Sequence, residues 1–288
     1  MTKHLLSMLL LAGSTTAFAQ PTPFTTCPDI NIAIIRDGNN AAETNPIYLH
    51  KVNTVTGVST GFTGPVLNPA DGSNLQINAV GLHPNQGLLY GMQPASSGNP
   101  LNALTPRPLF RVGENGQALA VGLVGLPPLQ AGETVAVVNT AAGEVDVPGN
   151  YYFTAASGSL NIFTVSGNIS TLWLGKIAGT AALPAGTAAL SPNYIKIVSG
   201  DANSATFYNS LLGTINSGNI QTKLNAGLRD FVFNAIDGNL YTYVTFPANP
   251  ALPNGAFNGQ LLKLNPNTGV LTAVVAPAVL PAASASRP

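Results

Sequence analysis

The chain is a succession of short segments in which apolar and polar residues alternate. These segments are rich in Val, Ile, Leu, Tyr, Phe and Thr, and Asn-Gly, Asp-Gly, Thr-Gly or Ser-Gly pairs separate many of them. Such alternation is typical of strands with one buried face, and such pairs favour tight hairpin turns. No window keeps the apolar spacing that an amphipathic helix needs. The pattern therefore predicts an all-β fold with almost no helix.

One hairpin occurs twice at the same length. Residues 77–90 and residues 228–241 each contain two apolar segments around a polar turn with Gly, and each ends in Leu-Tyr. A looser copy ends at Tyr152, and a degenerate copy ends at Tyr194. The tyrosines of the later copies recur at intervals of about 45 residues, which is the length of a four-stranded propeller blade.

A second repeated element follows the first within each unit. It is an alternating strand that leads into a turn with Gly, and it occurs at residues 49–57, 109–116, 162–167 and 262–269. Two consecutive hairpins make one blade of a β-propeller, in which each sheet covers the apolar faces of its neighbours. We therefore predict a β-propeller of about five four-stranded blades, with six as the alternative count.

The predicted propeller domain spans residues 30–275, and three of its segments need comment. The early strand at residues 30–35 lacks a hairpin partner of the first type, so we expect it to complete the last blade across the ring junction. Residues 181–224 match the repeat poorly, which leaves a six-bladed ring or an incomplete ring as alternatives. Residues 276–288, dominated by Ala, Pro and Ser, are predicted to be a disordered tail.

The repeat residues also resemble those of a known family. The resemblance lies in Asn78-Ala79, Gly81, Pro84, Leu89-Tyr90-Gly91 and Gly149-Asn150-Tyr151-Tyr152. These motifs are similar to those of an uncharacterised family, a domain of unknown function, of exported bacterial β-propeller-like domains found in surface and adhesion-like proteins. Gln86 stands where an acidic turn residue is more usual in that family. The resemblance implies a propeller fold and export, and it supplies no catalytic residues.

The first 19 residues have the layout of a secretory signal peptide. Lys3 and His4 precede an apolar run, and Ala17-Phe18-Ala19 provides a cleavage site of small residues. Residues 20–29 would then form an N-terminal linker. Ser14 stands where a lipoprotein needs a cysteine, and no stretch offers the roughly 20 apolar residues of a membrane span. We expect export to the extracellular space or the cell envelope without a lipid anchor.

Composition excludes some partners. The 11 Lys and Arg residues balance the 11 Asp and Glu residues, so no positive field exists to attract nucleic acid. Charged residues make up only 8% of the chain, so neutral polar and turn residues must cover its surface. Cys27 is the single cysteine, which excludes an internal disulfide and is interpreted as a half-buried thiol. We expect a monomer without a cofactor.

The candidate catalytic motifs are interpreted as turns and strands. Gly57-Val58-Ser59-Thr60-Gly61 matches the G-x-S-x-G pattern of serine hydrolases, but it lies between two strands and not between a strand and a helix. The mature chain has only His50 and His83 to assist a serine. His83 occupies the turn position that Asn234 has in the other hairpin copy, which favours a residue that bonds its own backbone. His50 is expected to face outward from a strand. No catalytic residue is predicted.

Metal sites are not predicted either. One cysteine and two scattered histidines cannot supply the ligands of a zinc site. Oxygen ligands suited to calcium occur in three short loops, Asp37-Gly38-Asn39-Asn40, Asp71-Gly72-Ser73-Asn74 and Asp201-Ala202-Asn203-Ser204. None of the loops has the spaced acidic ligands of a dedicated calcium loop, so Asx-turns explain them more simply.

Two charged groups begin hairpins that could face a propeller channel, namely Arg229-Asp230 and Glu144-Val145-Asp146. We interpret them as ion pairs or solvated rims. Three or more of Glu144, Asp146, Arg229, Asp230 and His83 in one pocket would instead indicate an enzyme. Trp173 is assigned to a blade core in preference to sugar stacking.

The sequence as a whole favours a non-catalytic module that binds a protein or a glycan at the cell surface, through residues that remain unknown. The alternatives are a propeller-type lyase, glycosidase or lactonase, and a scaffold without a small ligand. A fold alone does not choose among these functions.

Overall fold

The computed structural model describes residues 21–24, 30–36, 46–53, 55–61, 64–94, 103–161, 164, 166–245, 257–274 and 278–280. About half of these residues lie in strands, which form four open sheets, and helices are few. The prediction of a mostly β fold is therefore confirmed. The predicted count of about five or six blades is not confirmed by the described part of the chain. Within that part, no helix is long and apolar enough to cross a membrane.

The sheets follow one another along the chain. The first contains β1 (Ile30–Arg36), β2 (Ile47–Asn53) and β3 (Ser59–Gly61). The second contains β4 (Asn78–His83), β5 (Leu88–Met92), β6 (Arg107–Val112) and β7 (Ala118–Val124). The third contains β8 (Val135–Val145), β9 (Tyr151–Asn161) and β10 (Ser166–Ile177).

A different kind of segment separates the third sheet from the fourth. It contains a short 3-10 turn (Thr180–Ala182), β11 (Ala189–Leu190), β12 (Asn193–Lys196), β13 (Val198–Ser199), α1 (Ala202–Ser217) and α2 (Ile220–Leu224). The fourth sheet contains β14 (Val232–Asn234), β15 (Asn239–Thr245), β16 (Phe257–Leu264), β17 (Val270–Ala273) and β18 (Ala278–Leu280).

The sheets stack face to face in chain order, and each interface is an apolar cluster. Between the first and second sheets lie Ile47, Leu49, Leu89, Phe110 and Val112. Between the second and third lie Tyr90, Leu109, Tyr151, Phe153 and Trp173. Between the third and fourth lie Leu172, Leu174, Leu240, Leu262 and Leu264, joined by Phe207 and Ile215 of α1. The second and third sheets are thus covered on both faces, as in consecutive propeller blades.

The two predicted copies of the hairpin share one turn geometry. β4 pairs with β5 and β14 pairs with β15, so both hairpins are confirmed. The N–H of Gly87 donates to the carbonyl of His83, and that of Gly238 donates to the carbonyl of Asn234, each over 2.9 Å. The two glycines have φ of 60° and 69°, a region that favours glycine.

The tyrosine at the end of each copy lies in the second strand of the hairpin, and its hydroxyl bonds to a side chain of the turn. The hydroxyl of Tyr90 donates to Gln86 Oε1, and that of Tyr241 donates to Asp237 Oδ2, each over 2.6 Å. Tyr152 similarly donates to Asp146 Oδ2 over 3.0 Å. These bonds give a physical reason for the recurring Leu-Tyr pattern.

Residues 181–224, which match the repeat poorly, form no sheet of their own. β11 pairs with β7, β12 pairs with β10, and β13 pairs with β17. Residues 189–199, named here the edge segment, therefore add one strand to the edge of three successive sheets. Tyr194 belongs to β12 and does not end a hairpin copy.

The expectation of almost no helix is also wrong, because α1 has 16 residues. Asp201 caps it: Asp201 Oδ1 accepts from the N–H of Ser204 at 2.8 Å, and Ser204 Oγ accepts from the N–H of Asp201 at 3.1 Å. Phe207 and Ile215 are buried against the neighbouring sheets. Tertiary packing and the capping box stabilise a helix whose apolar spacing is too irregular to predict it.

The remaining differences concern single strands. β1 pairs with β2 along its whole length, so the expected pairing of residues 30–35 with the last blade is wrong. β9 and β10 form one long hairpin, so Ser166 and Gly167, predicted as the turn of the second repeated element, already belong to β10. The tail predicted to be disordered contains β18, which pairs with β16. The predicted signal peptide and Cys27 lie outside the described residues.

We predict opposite effects of two substitutions at Gly213, an exposed residue of α1 with open space around its Cα. Gly213→Ala should raise the free energy of unfolding by roughly 0.5–1 kcal/mol, because Ala orders more readily in a helix. Gly213→Pro should lower it by about 3 kcal/mol, because Pro removes a helical hydrogen bond. Chemical denaturation measures both, and an equal response to the two substitutions would contradict a helix at this position.

Candidate functional site

The first strands of three sheets lie side by side, and this is where the charged residues noted in the sequence are placed. A Cβ added to Gly143 of β8 would lie 1.9 Å from the carbonyl oxygen of Ala79 in β4. A Cβ on Gly81 would lie 2.5 Å from the backbone nitrogen of Val145. Ala79 has a φ of 53°, and Tyr151 donates a hydrogen bond to its carbonyl. Only glycine allows the two backbones to approach this closely.

Glu144 is the most perturbed carboxyl group at this junction. Burial raises its pKa to about 7, although hydrogen bonds from the backbone N–H groups of Val145 and Phe233 favour the ionised form. Phe233 belongs to β14, so Glu144 links the first strand of the third sheet to that of the fourth. A carboxyl group that titrates near neutral pH can act as a general acid or base if a substrate reaches it.

The carboxyl group of Asp146 accepts its hydrogen bonds from residues of its own turn and the strand that follows. It accepts from the N–H of Asn150 at 2.7 Å, from Asn150 Nδ2 at 2.7 Å and from the hydroxyl of Tyr152 at 3.0 Å. Asp146 is buried. With three donors arranged around it, this carboxylate stabilises the turn between β8 and β9.

His83 is also committed to its turn, as the sequence predicted. Its Nδ1 accepts from the N–H of Asn85 at 3.2 Å and from that of Gln86 at 3.3 Å. Asn234 Oδ1 accepts from the N–H of Ile236 at 2.9 Å in the other copy. Burial lowers the pKa of His83, while a backbone hydrogen bond and nearby Asp146 raise it in part. As an acceptor of two backbone N–H groups, Nδ1 carries no proton in this arrangement.

The five residues that would have indicated an enzyme differ in their contacts. Arg229 and Asp230 are exposed just before β14. His83 and Asp146 are neighbours through their turns, whereas Glu144 contacts β14. Within the described ranges, no three His, Cys, Asp or Glu side chains are grouped so that they could hold a metal ion.

The G-x-S-x-G segment is a hairpin, as predicted. Gly57 has a φ of 71° and donates to the carbonyl of Asn53 at 2.8 Å. Ser59 Oγ lies 2.9 Å from Nδ1 of His50. This contact joins neighbouring strands β2 and β3 at the surface and lacks the strand-to-helix elbow of a hydrolase.

The remaining candidates make local contacts, and the role of Asp201 differs from the predicted Asx-turn. Asp71 Oδ1 accepts from the N–H of Ser73 at 2.9 Å, which is an Asx-turn, and Asp201 is a helix cap. Trp173 is buried, and its Nε1 donates to Ser157 Oγ at 2.8 Å, which confirms the assignment to the core. Residues 37–40 lie outside the described part of the chain.

The stacked sheets have two different ends, which no pattern in the sequence predicts. At one end, named here the turn end, the connections between strands form hydrogen bonds with each other. Asn85 Nδ2 donates to the carbonyl of Val147 at 3.2 Å, and Gln86 Nε2 donates to the carbonyl of Ala181 at 3.3 Å. The opposite end, the loop end, holds the β7–β8 connection, together with the last residue of β5 and the first residue of β6. Leu129 of this connection is 50% exposed there.

Arg107 is the second feature that sequence reasoning missed. This residue begins β6 at the loop end of the second sheet, yet it is only 4% exposed. An Arg in a strand ordinarily extends to the surface, so no local pattern could indicate its burial.

Comparisons with known proteins give a family and two distant structural similarities. The model of a repeat of unknown function (DUF6923) matches residues 39–195. A comparison with curated proteins found no match. The solved structure of Hadza microbial sialidase Hz136 has a TM-score of 0.39 and 10% identity, over 87% of this chain and 44% of the sialidase. A putative 6-phosphogluconolactonase from Bacteroides fragilis has a TM-score of 0.19 and 11% identity, over 89% of this chain and 97% of that one.

The chain spans less than half the length of the sialidase. Both TM-scores are too low to establish a common fold.

We predict that Glu144 makes the protein less stable as the pH rises. Its pKa is about 7 in the folded protein and 4.5 as the ordinary value, so the folded state binds more protons between these values. The contribution of Glu144 to the free energy of unfolding should therefore be fully present below about pH 4.5. It should decrease as the pH rises through about 7. Glu144→Gln should remove this decrease and should be the more stable protein at about pH 8. Denaturation at several pH values measures the effect.

Glu133 provides a control of opposite sign. Burial raises its pKa, but hydrogen bonds from Ser157, Ser170, Gln130 and Thr171 outweigh burial and lower it overall. Glu133→Gln should therefore destabilise the protein at neutral pH, with a smaller loss in acid. If Glu144→Gln and Glu133→Gln shift stability in the same direction at about pH 8, the account of Glu144 is wrong.

We predict that His83 acts as a backbone acceptor. His83→Asn retains an acceptor of the kind that Asn234 provides, whereas His83→Ala leaves the N–H groups of Asn85 and Gln86 without their partner. The Ala variant should be the less stable by about 1 kcal/mol or more. Thermal and chemical unfolding measure the difference, and Asn234→Ala should show a loss of the same sign. Equal stability of the two His83 variants would refute this role.

Proposed function

The chain belongs to this repeat family of unknown function, and we propose that it is an exported, non-catalytic β-propeller module that binds a protein or a glycan at the cell surface. Its stacked sheets act as the blades. The binding surface is the loop end, and the turn end is structural.

The difference between the two ends supports this proposal most directly. Connections at the turn end hold one another by hydrogen bonds, such as the bond from the N–H of Thr180 to the carbonyl of Gly149 at 3.0 Å. The loop end instead presents the connection at residues 125–134, whose Leu129 is half exposed. Loops on a rigid scaffold are the usual position of binding residues.

The use of the polar side chains supports a role without catalysis. His83, Asp146 and Asp201 all bond to nearby backbone groups, so they stabilise turns and a helix end. Glu144 has a perturbed pKa, but its nearest partners are backbone N–H groups of Val145 and Phe233. Acid–base catalysis needs a second positioned group in addition to one titrating carboxyl group.

Export and surface exposure rest on the sequence. The layout of residues 1–19 is that of a signal peptide, and the chain is rich in neutral turn residues, with 30 Gly and 23 Pro. A protein with balanced charge and a surface of neutral polar groups suits contact with neutral or weakly charged ligands more than with polyanions.

Binding of the purified chain to a glycan array and to whole cells tests the proposal. We expect binding, and we expect Leu129→Asn at the loop end to weaken it by about tenfold or more, because an exposed apolar anchor is lost. Val147→Asn is the matched control, since Val147 is 50% exposed at the turn end. It should leave binding unchanged.

Three results would contradict the proposal. The absence of binding to any glycan or cell would favour a scaffold. Equal losses in both variants would show that the loop end is not the binding surface. Turnover of a bound glycan would show that the module is an enzyme.

A further inference from the structure

The outer face of the fourth sheet is apolar and exposed. Tyr243 pairs with Leu261 and Val232 pairs with Tyr241, so these four side chains share that face. Val232 is exposed and Tyr243 is 51% exposed, whereas Leu240 on the opposite face is completely buried. No apolar cluster of the described residues includes any of the four. Contiguous exposed apolar side chains mark an interaction surface more often than isolated ones do.

The same face of the second sheet is a buried interface. Counted from the last residue of each hairpin copy, Met92 of the second sheet is equivalent to Tyr243 of the fourth. Met92 pairs with Leu109, just as Tyr243 pairs with Leu261. Met92 and Leu109 are both completely buried against the third sheet. The pair of Tyr243 and Leu261 therefore occupies the position of a contact between successive sheets.

The second repeated element leads to the same equivalence. In three of the sheets, a leucine stands four residues before the residue whose N–H closes the turn with Gly, namely Leu49, Leu109 and Leu261. Leu49 is buried against the second sheet and Leu109 against the third. The first and second sheets thus use this face, named here the forward face, to contact the next sheet. Leu261 lies on the forward face of the fourth sheet, which no other described sheet covers.

The first sheet has the complementary free face. Val112 of the second sheet and Leu264 of the fourth are buried against the preceding sheet, on what is named here the rear face. The equivalent residue of the first sheet is Val52, which is only half-buried, as is His50 on the same face. No apolar cluster of the described residues joins the first sheet to the fourth. One forward face and one rear face consequently remain without a partner in this part of the chain.

We propose that the forward face of the fourth sheet packs on the rear face of the first sheet of a second copy of this chain. Forward faces already contact rear faces between successive sheets, so the contact between copies continues an interface that exists within each copy. Two such contacts join the four sheets of each copy into a closed ring of eight, a number of blades that propellers adopt. This dimer goes beyond the proposed binding function and differs from the monomer expected from the sequence.

Sedimentation equilibrium of the purified chain measures the assembly. We expect a mass twice that of one chain. Tyr243→Asp on the forward face and Val52→Lys on the rear face should each raise the dissociation constant at least about tenfold, because a charge is then buried in an apolar contact. Ile236→Asp is the matched control, since Ile236 is almost fully exposed in the turn between β14 and β15, outside the face. It should leave the dimer unchanged.

Mixing the two interface variants tests the head-to-tail arrangement. A complex of one Tyr243→Asp copy with one Val52→Lys copy has one unmodified interface and one with opposite charges. An equimolar mixture should therefore recover the dimer that each variant alone has lost. Recovery also shows that both variants are folded. His50→Lys replaces Val52→Lys if the latter does not fold, because His50 lies on the same face and is half-buried.

The other outcomes separate this inference from the proposed function. A chain that stays monomeric as its concentration rises, or that forms open filaments, overturns the closed dimer while glycan binding stands. A dimer that Tyr243→Asp dissociates and Val52→Lys does not would mean that two fourth sheets contact each other, which also overturns it. Loss of the dimer in Ile236→Asp would place the contact at the turn. A dimer that binds no glycan or cell would contradict the proposed function alone.

Discussion

The mutual burial of sheet faces is the interaction on which the rest of this structure depends. The second and third sheets each have two apolar faces, and each face is covered by the next sheet along the chain. A fully buried aromatic such as Phe153 contributes about 1.5–3 kcal/mol to stability, and only a neighbouring sheet can provide that burial. The sheets must therefore stack in series, and their order along the chain fixes their order in space.

Close stacking in turn restricts the backbone. At Gly143 and Gly81 the first strands of two sheets approach so closely that a side chain has no room. At the opposite edge, β11, β12 and β13 of the edge segment bond to three different sheets in succession. Backbone contact on one side and shared strands on the other join separate hairpin modules into one structure.

The scarcity of charge follows from the same architecture. Most polar side chains described above satisfy backbone groups at turns, as His83 and Asp146 do, because tightly packed sheets leave little space for unpaired polar groups. Glu144 and Arg107 are exceptions. Burial shifts the pKa of Glu144 toward neutrality, and it leaves an edge of Arg107 without an acceptor. At these two positions, a substitution tests whether the side chain has a role other than stabilising the fold.

Local patterns in the sequence determined the strands, the equivalent hairpins at residues 77–90 and 228–241, and the turn role of His83, because alternation and turn chemistry act within a few residues. Tertiary structure alone decided that residues 189–199 extend three sheets, that Ala202–Ser217 is helical and that β1 pairs with β2. It also decided the burial of Glu144 and Arg107. Pairing and burial depend on which distant segments pack together, and a single sequence does not record those contacts.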